Sequence, residues 1–205
     1  MAAARDPLAG ADPAAPDPMA GAGPAAPDPM AGAGQPDPPA RWRVIVTVAA
    51  VVLVLDVLTK IWAVARLEGR PEIVLVPALL GEQVGPLLRL TFWRNPGAAF
   101  GLGASAGLTL LFSVLAVAVA IGILGYGRRV TNLAWAFALG GLLGGALGNL
   151  VDRVFRSPGP LRGHVVDFLG LPHFPIFNVA DSAVTCSAVA IVILGILGVA
   201  PTWRR

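Results

Sequence analysis

Apolar residues fill four long stretches of the sequence, and polar segments of unequal length separate them. Each stretch is long enough to cross a hydrocarbon core of about 30 Å at a helical rise of about 1.5 Å per residue. Because a backbone in lipid must satisfy its own hydrogen bonds, the stretches are predicted to be helices. They cover about residues 44–65, 107–125, 133–150 and 179–199. The pattern therefore predicts an all-α integral membrane protein with four transmembrane helices.

The segments between the stretches differ in length and composition. A short turn, residues 126–132, joins the second and third stretches, whereas long loops, 66–106 and 152–178, follow the first and the third. The first long loop contains Glu72-Ile-Val-Leu-Val-Pro77 and Leu87-Leu-Arg-Leu-Thr-Phe-Trp93, whose residue types are common in β-strands. These runs predict a small β-rich region outside the membrane, on the side where both long loops lie.

The first 40 residues differ from the rest of the chain. Pro and Gly are frequent there, and the segment Pro16–Gly23 is repeated as Pro27–Gly34. Bulky apolar residues are nearly absent, so the segment cannot bury enough surface to offset its ordering entropy. We therefore predict a disordered low-complexity tail over residues 1–40 and a membrane domain over residues 41–205.

Composition agrees with a membrane location. The chain is 56% hydrophobic and only 13% charged, whereas soluble domains carry about 25% charged residues. The net charge is +3, but the basic residues are scattered, so nucleic-acid binding has no support. The single cysteine, Cys186, excludes a disulfide within the chain and is predicted to pack as a small apolar residue in the fourth span.

Arginines near the predicted helix ends bear on orientation. The raw count is nearly even between the two sides, but short segments next to helix ends weigh most in the positive-inside rule. Arginine pairs occur before the first span, in the short turn and at the C-terminus; they are Arg41 and Arg43, Arg128 and Arg129, and Arg204 and Arg205. These pairs favour cytoplasmic termini and an extracytoplasmic position for both long loops.

Ionisable residues in or beside the spans are candidate functional groups, because lipid disfavours them unless they are paired. Asp56 and Lys60 are four apart and share a helix face, which indicates either an internal ion pair or support of a site. Asn149, Asp152 and Arg153 lie where the third span is predicted to end. They are explained either by interfacial capping and snorkelling or by binding of a substrate carbonyl or lipid headgroup.

Two aspartates beside the membrane suggest a chemistry. Asp181 precedes the fourth span, where a helix dipole alone would explain it, and Asp167 alone would be a loop acid. The short loop between them allows both to reach one site. Two close carboxylates in a low dielectric share one proton, and such a pair can activate water for attack on an amide carbonyl without a metal.

Other classes of site have weaker support. His164 and His173 lie near the two aspartates, but no recognisable metal-ligand spacing is present, so we predict no metal and no cofactor. A proton-coupled transporter would place its acids near the bilayer midplane, whereas these acids gather at one interface. A non-catalytic scaffold gives no reason for two acids to converge.

Five blocks of the sequence resemble, in the same order, the bacterial lipoprotein signal peptidase family, signal peptidase II. They span about residues 42–200, and together they are specific. The blocks are Asp56-Val-Leu-Thr-Lys60, Asn95-Pro-Gly-Ala-Ala-Phe100, Gly144-Gly-Ala-Leu-Gly-Asn-Leu-Val-Asp-Arg153, Val165-Val-Asp-Phe168 and Phe177-Asn-Val-Ala-Asp-Ser182.

The resemblance implies an aspartyl endopeptidase of the bacterial plasma membrane, with four spans, cytoplasmic termini and a site near the outer face. Its substrates would be diacylglyceryl-modified prolipoproteins, cut just before the lipidated cysteine, and globomycin-type antibiotics would inhibit it. Asp167 and Asp181 match the catalytic residues. The matching site-lining residues are Asn95, Asn149, Arg153 and Asn178, and the positions with a more structural role are Asp56, Lys60 and Asp152. The tail and the loop after Arg153 have no counterpart in this resemblance.

Overall fold

The computed structural model describes residues 40–78, 85–97 and 106–202 of the chain. The predicted disordered tail lies outside the described residues. The helices are α1 (Trp42–Leu67), α2 (Ala106–Tyr126), α3 (Leu133–Phe155) and α4 (Val179–Ile196), and a single 3-10 turn, Gly127–Arg129, follows α2. The strands are β1 (Ile73–Val76), β2 (Leu88–Asn95) and β3 (Val165–Gly170).

All four helices are long and apolar enough to cross a membrane, which confirms the predicted spans. The predicted ends were less accurate than the helices themselves. The third helix continues to Phe155, five residues beyond the predicted boundary at Leu150, so Asn149, Asp152 and Arg153 lie in its last two turns. The fourth ends at Ile196, three residues before the predicted boundary at Val199. Cys186 lies in α4, within the predicted fourth span, and its side chain is exposed and so does not pack in the interior of the protein.

Helix α3 lies between α1 and α4, and its glycines allow both contacts. A Cβ atom on Gly144 would lie 2.7 Å from the Ala49 carbonyl oxygen of α1. A Cβ atom on the adjacent Gly145 would lie 2.5 Å from the Ala180 carbonyl oxygen of α4. Such close backbone approach is how helices associate in lipid, where apolar burial gives no advantage over lipid contact. The glycines thus let α1 and α4 pack closely against neighbouring faces of α3, and α1 and α4 also contact each other there.

The three strands form one antiparallel sheet in the order β1-β2-β3. The pairing of β1 with β2 agrees with the sequence prediction, but β3 was predicted as loop. Its residues are almost all buried, since Val166 and Phe168 pack with Ala63 and Leu67 of α1. Asp167 therefore lies in a buried strand and is not a solvated loop acid.

The start of α1 and the segment after α4 lie at the same end of the helix bundle. The Arg41 N–H donates to the Val130 carbonyl oxygen at 2.7 Å, which joins the start of α1 to the turn between α2 and α3. Thr131 and Asn132 donate to the Pro201 carbonyl oxygen at 3.0 and 3.2 Å, which joins the same turn to the segment after α4. The sheet follows the other end of α1, so it lies at the opposite end of the bundle.

Candidate active site

Asp167 is held in β3 by two asparagine amides from different elements. The Asn95 Nδ2 atom donates to Asp167 Oδ2 at 2.8 Å, and the Asn178 Nδ2 atom donates to Asp167 Oδ1 at 2.6 Å. Asn95 ends β2, which pairs with β3, so the sheet register brings its side chain to the aspartate. Only 1% of Asp167 is exposed. Both carboxyl oxygens therefore have a fixed donor in a buried setting.

Asp181 lies in the first turn of α4 and forms a reciprocal capping interaction with Asn178. Its carboxylate accepts from the Asn178 backbone N–H at 3.2 Å, while its own N–H donates to Asn178 Oδ1 at 2.9 Å. Capping of the helix is therefore one physical reason for an aspartate at this position. The other oxygen of the carboxylate, Oδ1, accepts from Asn149 Nδ2 at 2.7 Å, and Asp181 also lines a cavity.

Asn178 joins the two acids. Its side-chain amide donates to Asp167, its backbone N–H donates to Asp181, and its side chain also contacts Asn149 Oδ1 at 3.2 Å. The residue is fully buried, so its conformation is fixed on all sides. The two carboxyl groups therefore belong to one hydrogen-bond network built on a single asparagine, which the sequence prediction required but did not establish.

Asp167 and Asp181 lie in different surroundings, and this difference suits them to different roles in proton transfer. Burial raises the pKa of Asp167 to about 7, and the charge of Asp181 acts in the same direction. The amides of Asn95 and Asn178, and the charge of Lys60, oppose the shift because they favour the ionised form. Desolvation outweighs these donors, so Asp167 keeps its proton in a substantial fraction of molecules at neutral pH. Asp181 is only half-buried.

A buried ion network supports the site from α1. Lys60 Nζ lies 2.7 Å from Asp56 Oδ2 and 3.1 Å from Asp152 Oδ2, and it donates to Asn149 Oδ1 at 2.9 Å. The predicted pairing of Asp56 with Lys60 is thus confirmed, and α3 supplies a second acid. Because Lys60 binds the oxygen of the Asn149 amide, the nitrogen of that amide is turned toward Asp181.

Asp56 and Asp152, the two acids of this network, also bind the segments that carry Asp167 and Asp181, the pair of aspartates called the dyad below. Asp56 Oδ1 accepts from the Ala180 N–H at 2.9 Å, at the start of α4. Asp152 Oδ2 accepts from the Val166 N–H at 3.0 Å, next to Asp167 in β3, and its other oxygen binds Arg156. The network therefore fixes both segments that place the aspartates.

Arg153 does not snorkel to the surface. It is 7% exposed, and its Nη1 atom donates to the Gly163 carbonyl oxygen at 3.1 Å in the loop before β3. Arg153 also lines the cavity that Asp181 borders. A cationic group is thus held near the dyad, where it can interact with an oxygen-rich ligand.

The cavity has a volume of about 300 Å³, one polar end and one long apolar wall. Asn95, Asn149, Arg153 and Asp181 form the polar end. The apolar wall consists of side chains from α2, α3 and α4; among them are Phe112, Leu115, Val119, Leu142, Ala146 and Val184. No sequence pattern indicated that α2 contributes to the site, because its residues there are ordinary lipid-compatible side chains. The cavity suits a ligand with a polar reacting group and a long apolar part.

Metal ligation has no structural support in the described segments. Within residues 40–78, 85–97 and 106–202, no group of three or more His, Cys, Asp or Glu side chains could hold a metal ion. His164 and His173, which the sequence placed near the aspartates, lie in the loops on either side of β3.

The chain is similar to known proteins over most of its length. A family model described as "Signal peptidase (SPase) II" matches residues 48–197. The lipoprotein signal peptidase of Rhodococcus jostii (strain RHA1) is 45% identical over 172 residues, which cover 83% of this chain and 81% of that protein. The lipoprotein signal peptidase of Mycobacterium tuberculosis (strain ATCC 25618 / H37Rv) is 47% identical over 164 residues, or 80% and 76% of the two chains.

A solved structure of a bacterial membrane enzyme has a similar fold. It superposes with a TM-score of 0.62 at 26% identity, and the match covers 83% of this chain and 98% of that chain. The overall fold is therefore similar to that of an experimentally determined membrane enzyme.

Proposed function

The chain belongs to the signal peptidase II family, and from this premise we propose that Asp167 and Asp181 are its catalytic pair. As a member of that family it is a multi-pass membrane hydrolase that removes signal peptides from prolipoproteins. The proposed cleavage point is the bond just before a diacylglyceryl-modified cysteine. The observation that carries the proposal is the shared scaffold, in which Asn178 binds both carboxyl groups and one of them, that of Asp181, lines the polar end of the cavity.

The proposed reaction assigns one role to each acid. Asp181, at the cavity surface, acts as the base and accepts a proton from water as the water oxygen bonds to the scissile carbonyl carbon. Asp167, which holds a proton at neutral pH, gives that proton to the carbonyl oxygen. Asp181 then returns its proton to the amide nitrogen as the carbon–nitrogen bond breaks. Asp167 recovers a proton from the intermediate, so the pair ends as it began.

Neighbouring groups would support this reaction. Asn95 and Asn178 hold Asp167 so that it cannot rotate away, and Asn149 holds Asp181 in the same manner. Arg153 offers a cation at the polar end, suited to carbonyl oxygens of the precursor. The apolar wall would take apolar parts of the precursor or of surrounding membrane lipid, and a globomycin-type cyclic peptide would compete for this cavity.

The proposed orientation of the protein in the membrane rests on the arginines at the end of the bundle opposite the sheet. Arg41, Arg43, Arg128 and Arg129 lie where the start of α1 meets the turn between α2 and α3. By the positive-inside rule these arginines support a cytoplasmic position for this end in a bacterial cell. Both termini would then be cytoplasmic, and the sheet and the two aspartates would lie near the outer face of the plasma membrane.

Cleavage of defined precursors tests the proposed function. We expect the purified enzyme to cut a diacylglyceryl-modified precursor peptide and to leave the same peptide intact when its cysteine is unmodified. Mass spectrometry should identify one product that begins with the lipidated cysteine, and globomycin should suppress it. Equal cleavage of the unmodified peptide, or a product with another N-terminus, would contradict the proposed substrate.

The pH dependence of cleavage tests the proposed roles. Because Asp167 acts as the acid and has a pKa of about 7, kcat/KM should fall as the pH rises through that value. The fall should approach about tenfold per pH unit, as for loss of one essential proton. Asn95→Ala removes a donor that favours the ionised form, so it should move this fall to higher pH. A flat profile through and well above neutral pH would show that Asp167 is not the acid.

A further inference from the structure

Helix α2 forms a wall of the cavity, yet few contacts set its position. Among the described residues, its main packing partners are α3 and the turn Gly127–Arg129. Phe112 and Leu115 of α2 line the cavity together with Val184 of α4, so the cavity itself separates these two helices. The width of the cavity therefore depends on whatever fixes α2 at the end near the dyad.

Ser113 makes one of the contacts that fix α2 at this end. The side chain is fully buried in α2, and its Oγ atom donates to the Leu161 carbonyl oxygen at 2.7 Å. The same oxygen lies 3.0 Å from the Thr109 carbonyl oxygen one turn earlier in α2. A serine in any helix can make the second contact, and a hydroxyl has only one hydrogen. The shorter contact, to a residue 48 positions away, is the one specific to this fold.

The loop that carries Leu161 is itself anchored to the site. Arg153 Nη1 donates to the Gly163 carbonyl oxygen at 3.1 Å, and the Gly163 N–H donates to the Arg153 carbonyl oxygen at 3.0 Å. Leu161 has a φ of 63°, a left-handed conformation that is unfavourable for a residue with a branched side chain. Such a conformation persists only where the surroundings impose it. Ser113 therefore ties α2 to a loop whose shape is held at the dyad end.

A second hydroxyl of α2 makes a parallel connection. Thr109, one turn before Ser113, donates through Oγ1 to the Pro96 carbonyl oxygen. Pro96 follows Asn95, whose amide binds Asp167. Two hydroxyl groups on one face of α2 thus connect the cavity wall to the two loops that border the catalytic pair.

From these contacts, and resting on the function proposed above, we infer that Ser113 is a positioning residue that acts through Leu161. It holds α2 at a fixed distance from α4 and so sets which apolar group of the precursor fits the cavity. Because Ser113 touches neither aspartate, its loss changes how the precursor binds and leaves the chemical step intact.

Ser113→Ala tests this inference with two precursors that differ only in the length of their acyl chains. We expect KM for the better precursor to rise roughly fivefold, the effect of losing about one neutral hydrogen bond. The preference between the two precursors should shrink by a similar factor, while kcat stays within about twofold. Ser113→Thr keeps the hydroxyl and should restore both the KM and the preference. Thr59→Ala is the matched control, since within the described parts of the chain Thr59 bonds only to carbonyls of its own helix, Leu55 and Asp56.

A distance measurement tests the same inference independently of turnover. Cys186 is exposed on α4 and is the single cysteine, and Ile121 is exposed on α2, so Ile121→Cys gives one spin-label pair across the two helices. Ser113→Ala should broaden the distance distribution, and Thr59→Ala should leave it unchanged. An unchanged distribution, or an equal change in kcat for both precursors with no change in KM, would overturn the inference. If the unaltered enzyme cleaves neither precursor, the proposed function fails instead.

Discussion

Changing Asp167 to Asn is expected to lower kcat for precursor cleavage by about a thousandfold, because positioned acid–base groups contribute roughly 10²–10⁴ in rate. Asp181→Asn should have an effect of the same size, and the double variant should be no worse than either alone, since the two acids act as one unit. Rates of product formation, measured by mobility shift with a diacylglyceryl-modified precursor, would test both. Turnover within about tenfold of the unaltered enzyme would contradict the assignment, because general acid–base groups contribute more than this.

The loss of rate must be separated from a loss of folded protein. Asn at position 167 places an amide donor where Asn95 and Asn178 already donate to both carboxyl oxygens, so one hydrogen bond is lost. That loss costs about 1–3 kcal/mol, which a bundle of this size should survive. The matched control is Glu72→Gln, which neutralises an exposed carboxylate paired with Arg89 at 3.5 Å, away from the cavity. Its turnover and thermal stability should be unchanged.

The helices could be predicted because lipid restricts the backbone so strongly. A long apolar stretch in a membrane has almost no alternative to a helix, and all four predicted spans correspond to helices. The end of α3 was predicted too early because Asp152 and Arg153 look like residues at a membrane surface. In the fold they are buried among their own partners, Lys60 and the Gly163 carbonyl group, and the helix continues past them.

The strand that carries Asp167 was not predicted, and the reason is physical. Strands with one buried face alternate between apolar and polar residues, but β3 is covered on both faces. Its six residues therefore read as a short apolar run with one acid, which is equally compatible with a loop. Tertiary contacts define it, through β2 on one side and Phe177 on the other.

The candidate site was predicted in its membership but not in its connections. The two aspartates could be predicted as site residues because charged groups are rare in such an apolar chain. The asparagines were predicted from the resemblance of the sequence blocks to the family. The link between them spans distant parts of the chain: Asn95 and Asp167 are 72 residues apart, and Lys60 and Asn149 are 89 apart. A single sequence contains no signal for contacts of that range. The bridging role of Asn178 and the contribution of α2 to the cavity are therefore visible only in the three-dimensional structure.

Lys60→Met is expected to lower the free energy of unfolding by about 3–5 kcal/mol, which is typical when one partner of a buried ion pair is removed. Lys60 is 1% exposed and lies between two acids that are also buried, Asp56 and Asp152. Methionine has a similar length and suits a membrane helix, so the loss arises from removal of the charge: Asp56 is left without its cation, whereas Asp152 keeps its contact with Arg156. Unfolding in mixed detergent micelles, followed by circular dichroism, would measure it.

Two variants separate this charge effect from simple loss of a side chain. Arg94→Met removes the cation of an exposed pair, in which the side chains of Arg94 and Glu68 are 40% and 42% exposed, so it should cost no more than about 1 kcal/mol. Asp56→Asn added to Lys60→Met removes one uncompensated charge but keeps the acceptor for the Ala180 N–H, so it should recover part of the lost stability. If Lys60→Met is no more destabilising than Arg94→Met, the buried cation does not hold α1, α3 and the start of α4 together. Asn149 would then have to be oriented toward Asp181 by its contact with Asn178 alone.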